Sequence, residues 1–419
     1  MNWTDLKRES GLILTKKSVV FLLFVAFALS AFSVWTGTQE VEKQRETISR
    51  LIDADRIDRA EVLEQKTGYG SVAYYAFSLT YDPPSNLAFA GLGSRDSYPW
   101  KHRIRALALE GQIYESDTGN PEMAMAGRID FTFVISILAP LITILLLHDI
   151  RAAERASGRY ALLVVSARRK FGLWLPRTVS MVSFLSLALL IPFWIGAVWN
   201  GALAIHIVLV SLITILHIAL WAALCYWFDK KDSSAPHLAS ALLGLWLVSS
   251  FVLPALGSVA IERMFTGPQG GEILMTQREA VNGAWELPFE TTMDAFTARH
   301  PEWKPYTKMD SLWDWKWYYA FQQTGDQAAE PLSLAYREVA KQKYEAASWL
   351  SVLSPASWVS RSVTRLAETD PVAAWHYEQQ VRDYHESLRK YFYPYLFKAT
   401  AFDRSELSKM PVFAPEKSN

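Results

Sequence analysis

The chain has 419 residues, 51% of them hydrophobic, and its 42 Lys and Arg are balanced by 42 Asp and Glu. Zero net charge excludes the basic surplus of a nucleic-acid binder, and the single cysteine, Cys225, excludes an internal disulfide or a paired-cysteine zinc site. On average the composition could pass for a large soluble enzyme, but the apolar residues are bunched into long runs, the pattern of a membrane protein.

The first run is Val19 to Trp35, behind Lys16 and Lys17. It reads as a membrane span and not a signal peptide: no small-x-small cleavage site follows, and a charged helical pattern continues from it. Further spans are expected at Phe131–Leu147, Val179–Val198, Ala202–Phe228 and Leu238–Ala260, the last kinked by Pro254. None has the polar face of a soluble core helix. Trp199, Asn200 and Gly201 supply the only break between spans three and four. Cys225 reads as a small residue facing lipid or a neighbouring helix.

The basic residues set the orientation. The N-terminal tail carries Lys7, Arg8, Lys16 and Lys17. The segment between spans two and three carries Arg151, Arg155, Arg159, Arg168, Arg169, Lys170 and Arg177, and that between spans four and five Lys230 and Lys231. All three fall on one side, the cytoplasmic one by the positive-inside rule. The expected organisation is a tail and first span (1–37), a first outer domain (38–128), spans two to five (129–262) and a second outer domain (263–419). The fold class is mainly α: a polytopic helical membrane protein with about five transmembrane helices and two extracytoplasmic, mostly helical domains.

In the first outer domain, Leu51, Ile52, Ile57, Val62 and Leu63 recur at helical spacing, which predicts a helix from Gln39 to Gln65 continuing out of the membrane. Gly, Pro, Ser and Asp between Thr67 and Trp100 predict ordered loops, and Leu107–Tyr114 a short strand. The second outer domain is crowded with Trp285, Trp303, Trp313, Trp315, Trp317, Tyr318 and Tyr319. These suit a core plus a membrane-facing belt, or a substrate-binding groove; Asp310, Asp314 and Lys316 lie among them, but no spacing singles out a site. Ala335–Leu350 and His376–Tyr393 read as helices, the second stopped by Pro394.

The most informative segment is 149–177. Arg151, Arg155 and Arg159 are spaced four apart, as on one helical face. Ser157-Gly158 breaks the pattern, and Tyr160 to Val165 forms an apolar cluster. An amphipathic helix, a break and a second short helix would either anchor to anionic lipid or dock a partner. An acidic-basic pair, Gly, a Leu-rich turn and Ser at this place resemble the coupling helix of type 2 ABC exporter permeases, with Glu154, Arg155, Gly158, Leu162, Leu163 and Ser166 at the matching positions. Relatives mostly have Thr where this chain has Arg159, and often Pro where it has Ala167 and Arg168.

Tyr81-Asp82-Pro83-Pro84, Arg95-Asp96, Gln112-Ile113-Tyr114-Glu115, Asn120-Pro121-Glu122, Gly127-Arg128-Ile129-Asp130 and Ser354-Pro355 to Phe413 resemble a bacterial subfamily with large external loops. The resemblance covers nearly the whole chain. It implies a permease subunit in the inner membrane of a Gram-negative cell, the outer domains in the periplasm and a cytoplasmic ABC ATPase docking on Arg151, Glu154, Arg155, Gly158, Arg159, Leu162, Leu163 and Ser166. It further implies pairing with a second copy or a related permease, contact with membrane lipid, and no nucleic acid. Subfamily members usually cross a sixth time; here Met410-Pro411-Val412-Phe413 is followed by a polar tail, so an odd span count places the C-terminus outside.

No Gly-x-x-x-x-Gly-Lys-Ser/Thr loop, His-Glu-x-x-His pair or Gly-x-Ser-x-Gly elbow occurs. The chain is therefore expected to be no enzyme and to hold no metal or cofactor, with ATP on the partner subunit. His376 and His385, nine apart, do not share a helical face. His206 and His217, about three turns apart in span four, should face one direction. They read either as neutral imidazoles bonded between helices or as first candidates for lining a translocation path. The rival to the exporter reading is a non-transporting membrane scaffold or sensor whose outer domains bind a partner.

Overall fold

The structure, a computed structural model, describes residues 3–114, 129–166, 174–230, 233–309 and 311–416. Asp310, Glu115, Asn120-Pro121-Glu122, Gly127-Arg128, Ala167, Arg168, Arg169, Lys170 and Lys231 lie outside the described residues. The fold is mostly helical. Five helices are long and apolar enough to cross a membrane: Lys17–Gln65, Phe131–Ala156, Trp174–Trp199, Ala204–Phe228 and Ala235–Met264.

The first of these runs unbroken for 49 residues, about 73 Å at 1.5 Å per residue. Its apolar half lies in the bundle and its charged half in the polar head. Ala26, Ser30, Ser33 and Gly37 form its buried small-residue face. At Ser30 span three approaches closely, as helices do at small residues in membranes: the Ser30 hydroxyl donates to the Leu189 carbonyl at 2.6 Å, while Gly37 meets the Phe89 backbone of the head. Spans three and four are joined by the expected tight turn, with Gly201 at φ +71 and the Ala202 N–H bonded to Ala197. Asn86 of the head donates to the Gly201 carbonyl at 3.0 Å.

Spans two and five each carry a π-helical turn, Val134–Leu138 and Val248–Val252. Each turn ends two residues before a proline, Pro140 or Pro254. A proline has no N–H to give the carbonyl four residues back, and the upstream ladder loosens. The irregularity expected at Pro254 is thus absorbed in a wide turn.

The head is one body, not two. Tyr69, Val72, Ile104 and Ile113 from one segment share a core with Phe296, Phe321, Tyr377, Leu388 and Phe392 from the other. The expected strand at Leu107–Tyr114 is instead a helix, Leu109–Tyr114. The Asp326 carboxylate accepts from the N–H groups of Leu109 (2.8 Å) and Glu110 (3.2 Å), as a cap supplied from another helix. The strands are Ser78–Tyr81 and Lys101–Ile104, paired antiparallel with Leu79 opposite Arg103.

Pro394 does not stop the last long helix, which runs Pro371–Phe397; it ends where Ala399 turns to φ +46. The helix expected at Ala335–Leu350 is the lower part of Trp315–Ser351. Trp315, Trp317, Tyr318 and Tyr319 pack against the region that follows Gln65, at the far end of the first helix from the bundle. Trp317 and Tyr319 belong to the core of the head, and Trp315 and Tyr318 pack against it.

Candidate functional site

At the end of the bundle opposite the head, the segment after span two is tied to three neighbours. Asp229, just past span four, is buried and accepts from the backbone N–H of Arg151 (2.7 Å) and Ala152 (3.2 Å). Those are the first donors of the helix Ala152–Ala156, so the carboxylate fixes where that helix starts. The Arg151 guanidinium is buried 4.3 Å over the Tyr226 ring and donates to the Tyr226 carbonyl. Arg155 reaches the Ser233 carbonyl and stands 3.8 Å from Asp229.

Gly158 ends the helix at φ +72. Its N–H bonds to Arg155, and the Arg159 N–H bonds back to Glu154. This is a Schellman stop, which needs a left-handed residue and hence glycine. The next helix, Tyr160–Ser166, leaves at a new angle. The break means that Arg151, Arg155 and Arg159 do not share a continuous face: the first is buried, the second half-buried and the third exposed.

Glu154 does not face solvent either. It is buried between Arg159 (2.9 Å) and Arg177 (3.4 Å). Arg177 also holds Glu9 of the helix Trp3–Thr15 at 2.9 Å. Tyr160 stacks on Trp174 at the start of span three, and Leu163 packs on the bundle. What the segment presents outward is Arg159, Leu162 and Val165, the last two 73% and 86% exposed. Sequence reasoning counted Arg177 only as a loop charge and missed Asp229 and Glu9, because only folding brings those distant charges to the segment.

A second feature lies between bundle and head. A cleft of about 1470 Å³ is bounded by spans two and five and by the helices Trp315–Ser351 and Pro355–Leu366. Ile137, Leu253 and Leu256 form an apolar wall, and Ser357, Ser360 and Thr364 a polar one. Lys343 pairs with Glu262 at 2.6 Å, and Arg361 lies 4.1 Å over the Tyr344 ring.

The two histidines of span four have separate surroundings. His217 is buried, and its Nε2 donates to the Ser136 carbonyl in the π turn of span two at 3.3 Å. This is the interhelical bond expected of a neutral imidazole. His206, about 16 Å away along the helix, borders a different cleft of about 810 Å³, shared with Asp82, Asn86, Arg365 and His376. Burial pushes the Asp82 carboxyl above the usual range, against the pull of Arg95. Among the described residues no cluster of His, Cys, Asp and Glu is arranged to hold a metal.

The profile of one domain family, described as Domain of unknown function (DUF3526), matches residues 271–416. That stretch starts in the head just after span five and covers most of the head's second segment. No curated protein and no solved structure matches the chain.

Proposed function

We propose that this chain is the permease subunit of an ATP-driven ABC exporter in a bacterial inner membrane. The observation that carries the reading is the junction around Glu154. Two short helices separated by Gly158 are bonded to the ends of spans three and four, and through Arg177 of span three to the N-terminal helix, and they expose an Arg159–Leu162–Val165 face. A partner that displaced this face would act on several spans at once, because the segment is tied to Asp229 beyond span four and to Arg177 of span three, which itself holds the N-terminal helix. The ATPase, with its ATP, is a separate cytoplasmic chain that docks there. A second copy of this chain or a related permease completes the pathway, and the cleft between spans two and five is the candidate path for substrate. The head then lies outside the cytoplasm.

Co-purification from native membranes tests this. Wild type is expected to bring down an ATP-hydrolysing subunit, and Leu162→Asp with Val165→Asp to lose it while still inserting, since both side chains are exposed. Correctly inserted wild type that retains no ATPase overturns the exporter reading. The competing scaffold reading draws on the exposed Leu312, Trp313 and Trp285 of the head. Capture of a partner by the head without any ATPase would establish it.

A further inference from the structure

We infer that the hairpin joining Trp315–Ser351 to Pro355–Leu366 re-enters the membrane, with its tip, Trp349 to Leu353, immersed in the hydrocarbon layer beside span five. The inference rests on the five apolar helices and not on the exporter reading.

The sequence carries the first argument. Residues 346–360 contain no Asp, Glu, Lys or Arg. The run is shorter than the roughly 20 residues needed to cross a bilayer, the length class of re-entrant segments. In the head of a soluble protein such a run would be covered, yet Trp349 is 81% exposed, Val352 69% and Leu353 63%.

Position carries the second. The Leu350 side chain lies against Gly257 of span five, where an added Cβ would stand 3.0 Å from Leu350 Cδ1. The helix Pro355–Leu366 packs on the π turns of spans two and five and on span four. The π turn of span five ends a dozen residues before Met264, about 18 Å down the axis at 1.5 Å per residue. Leu350 and Leu353 of the tip share the cleft wall with Leu253 and Leu256 of span five, whereas the exposed Trp349 and Val352 are not part of that lining.

Backbone bonding carries the third. In hydrocarbon every N–H must be satisfied by the protein itself. The turn does this: the N–H groups of Val352, Leu353 and Ser354 bond to the carbonyls of Trp349, Leu350 and Ser351. The Ser354 hydroxyl accepts from the Ser357 N–H, and Pro355 has no N–H to satisfy. The serines also bond locally, Ser351 donating to the Ser348 carbonyl at 2.6 Å. The tip thus meets the condition that hydrocarbon sets on a turn.

The test uses the full chain in lipid vesicles, with Cys225→Ala as background and single substitutions Trp349→Cys, Val352→Cys and Leu353→Cys. Each carries a nitroxide. Val259→Cys on span five, exposed and outside the cleft lining, serves as the lipid reference and Lys341→Cys, higher on the same long helix, as the water reference. Collision rates with dissolved oxygen and with a water-soluble nickel chelate are measured. The expected result is an oxygen-to-nickel ratio at the tip several-fold above that at Lys341 and close to that at Val259. Nickel-dominated collisions at the tip overturn the inference, as does a tip that neither reagent reaches, which would mean that protein covers it. Three tip positions keep the outcome readable if one variant fails to fold.

Discussion

Gly37 lies where the first span leaves the bundle, and its α-carbon faces the Phe89 carbonyl so closely that a methyl group would collide with backbone. Phe89 cannot retreat, because its ring is fully buried and stacked near Phe193. Gly37→Ala is therefore expected to destabilise by about 1–3 kcal/mol, the usual cost of overpacking. Gly244→Ala, with nothing within 4 Å, should be neutral or slightly stabilising. Thermal unfolding of the two variants in the same detergent separates the cases. His102 offers a second residue-scale test. It is stacked on Tyr377, and burial, reinforced by Arg382, lowers its pKa to about 4. A group with a depressed folded pKa contributes in full above its unfolded value near 6.5 and loses that contribution as pH falls through about 4. The wild-type Tm, compared with that of His102→Gln, should thus fall more steeply between pH 6.5 and 4; parallel curves would refute the assignment. At this scale the sequence was partly legible. Gly158 announces a helix stop, because few residues tolerate positive φ. Glu154 looks like a surface charge until Arg177 and Glu9 are brought to it by the packing of the N-terminal helix.

The five apolar helices were legible because hydrophobic length is a strong local signal, and so was the helix through Gln65. The errors arose where a distant group decides the local structure. Leu107–Tyr114 alternates like a strand but becomes helical from Leu109, because Asp326 supplies the cap. Pro394 is a helix breaker by composition, yet it costs only the bond that its N–H would give to the Lys390 carbonyl, and the packed helix continues through it to Phe397. The junction beneath the bundle makes an element-scale prediction. Arg177→Ala leaves Glu9 with Arg8 alone and Glu154 with Arg159 alone. Removing one member of a buried ion pair costs about 3–5 kcal/mol where nothing else compensates the charge, and less where, as here, an exposed arginine remains beside each carboxylate. The N-terminal helix Trp3–Thr15 should detach, and trypsin should cut at Lys16 and Lys17 at protease concentrations that leave wild type intact. Arg177→Lys should restore part of the resistance. Equal cleavage of wild type and Arg177→Ala would mean that this helix is held by its apolar face, through Ile13, and not by the ion pairs.

At the scale of the whole molecule, the sequence suggests two outer domains because span two to span five separates them in the chain. The structure merges them, and Asp326 shows how. Its carboxylate accepts from Leu109 and Glu110 of the first segment and pairs with Arg389 of the second at 2.7 Å. Arg389 and His385 in turn donate to the Leu107 carbonyl, at 3.0 and 2.7 Å. One acidic side chain thereby joins two stretches more than 200 residues apart, a distance over which periodicity and composition carry no information. The fusion also explains how the head can be stable without a disulfide: each segment covers apolar surface that the other would expose. Asp326→Ala leaves the N–H groups of Leu109 and Glu110 uncapped and Arg389 without its carboxylate, each a loss of about 1–3 kcal/mol. Hydrogen exchange should then rise together in residues 101–114 and 376–397, while the spans Trp174–Trp199 and Ala204–Phe228 keep their protection. Two independent domains would instead lose protection in the second segment alone. Coordinated loss in both, from one substitution in only one of them, is the signature of a single cooperative unit.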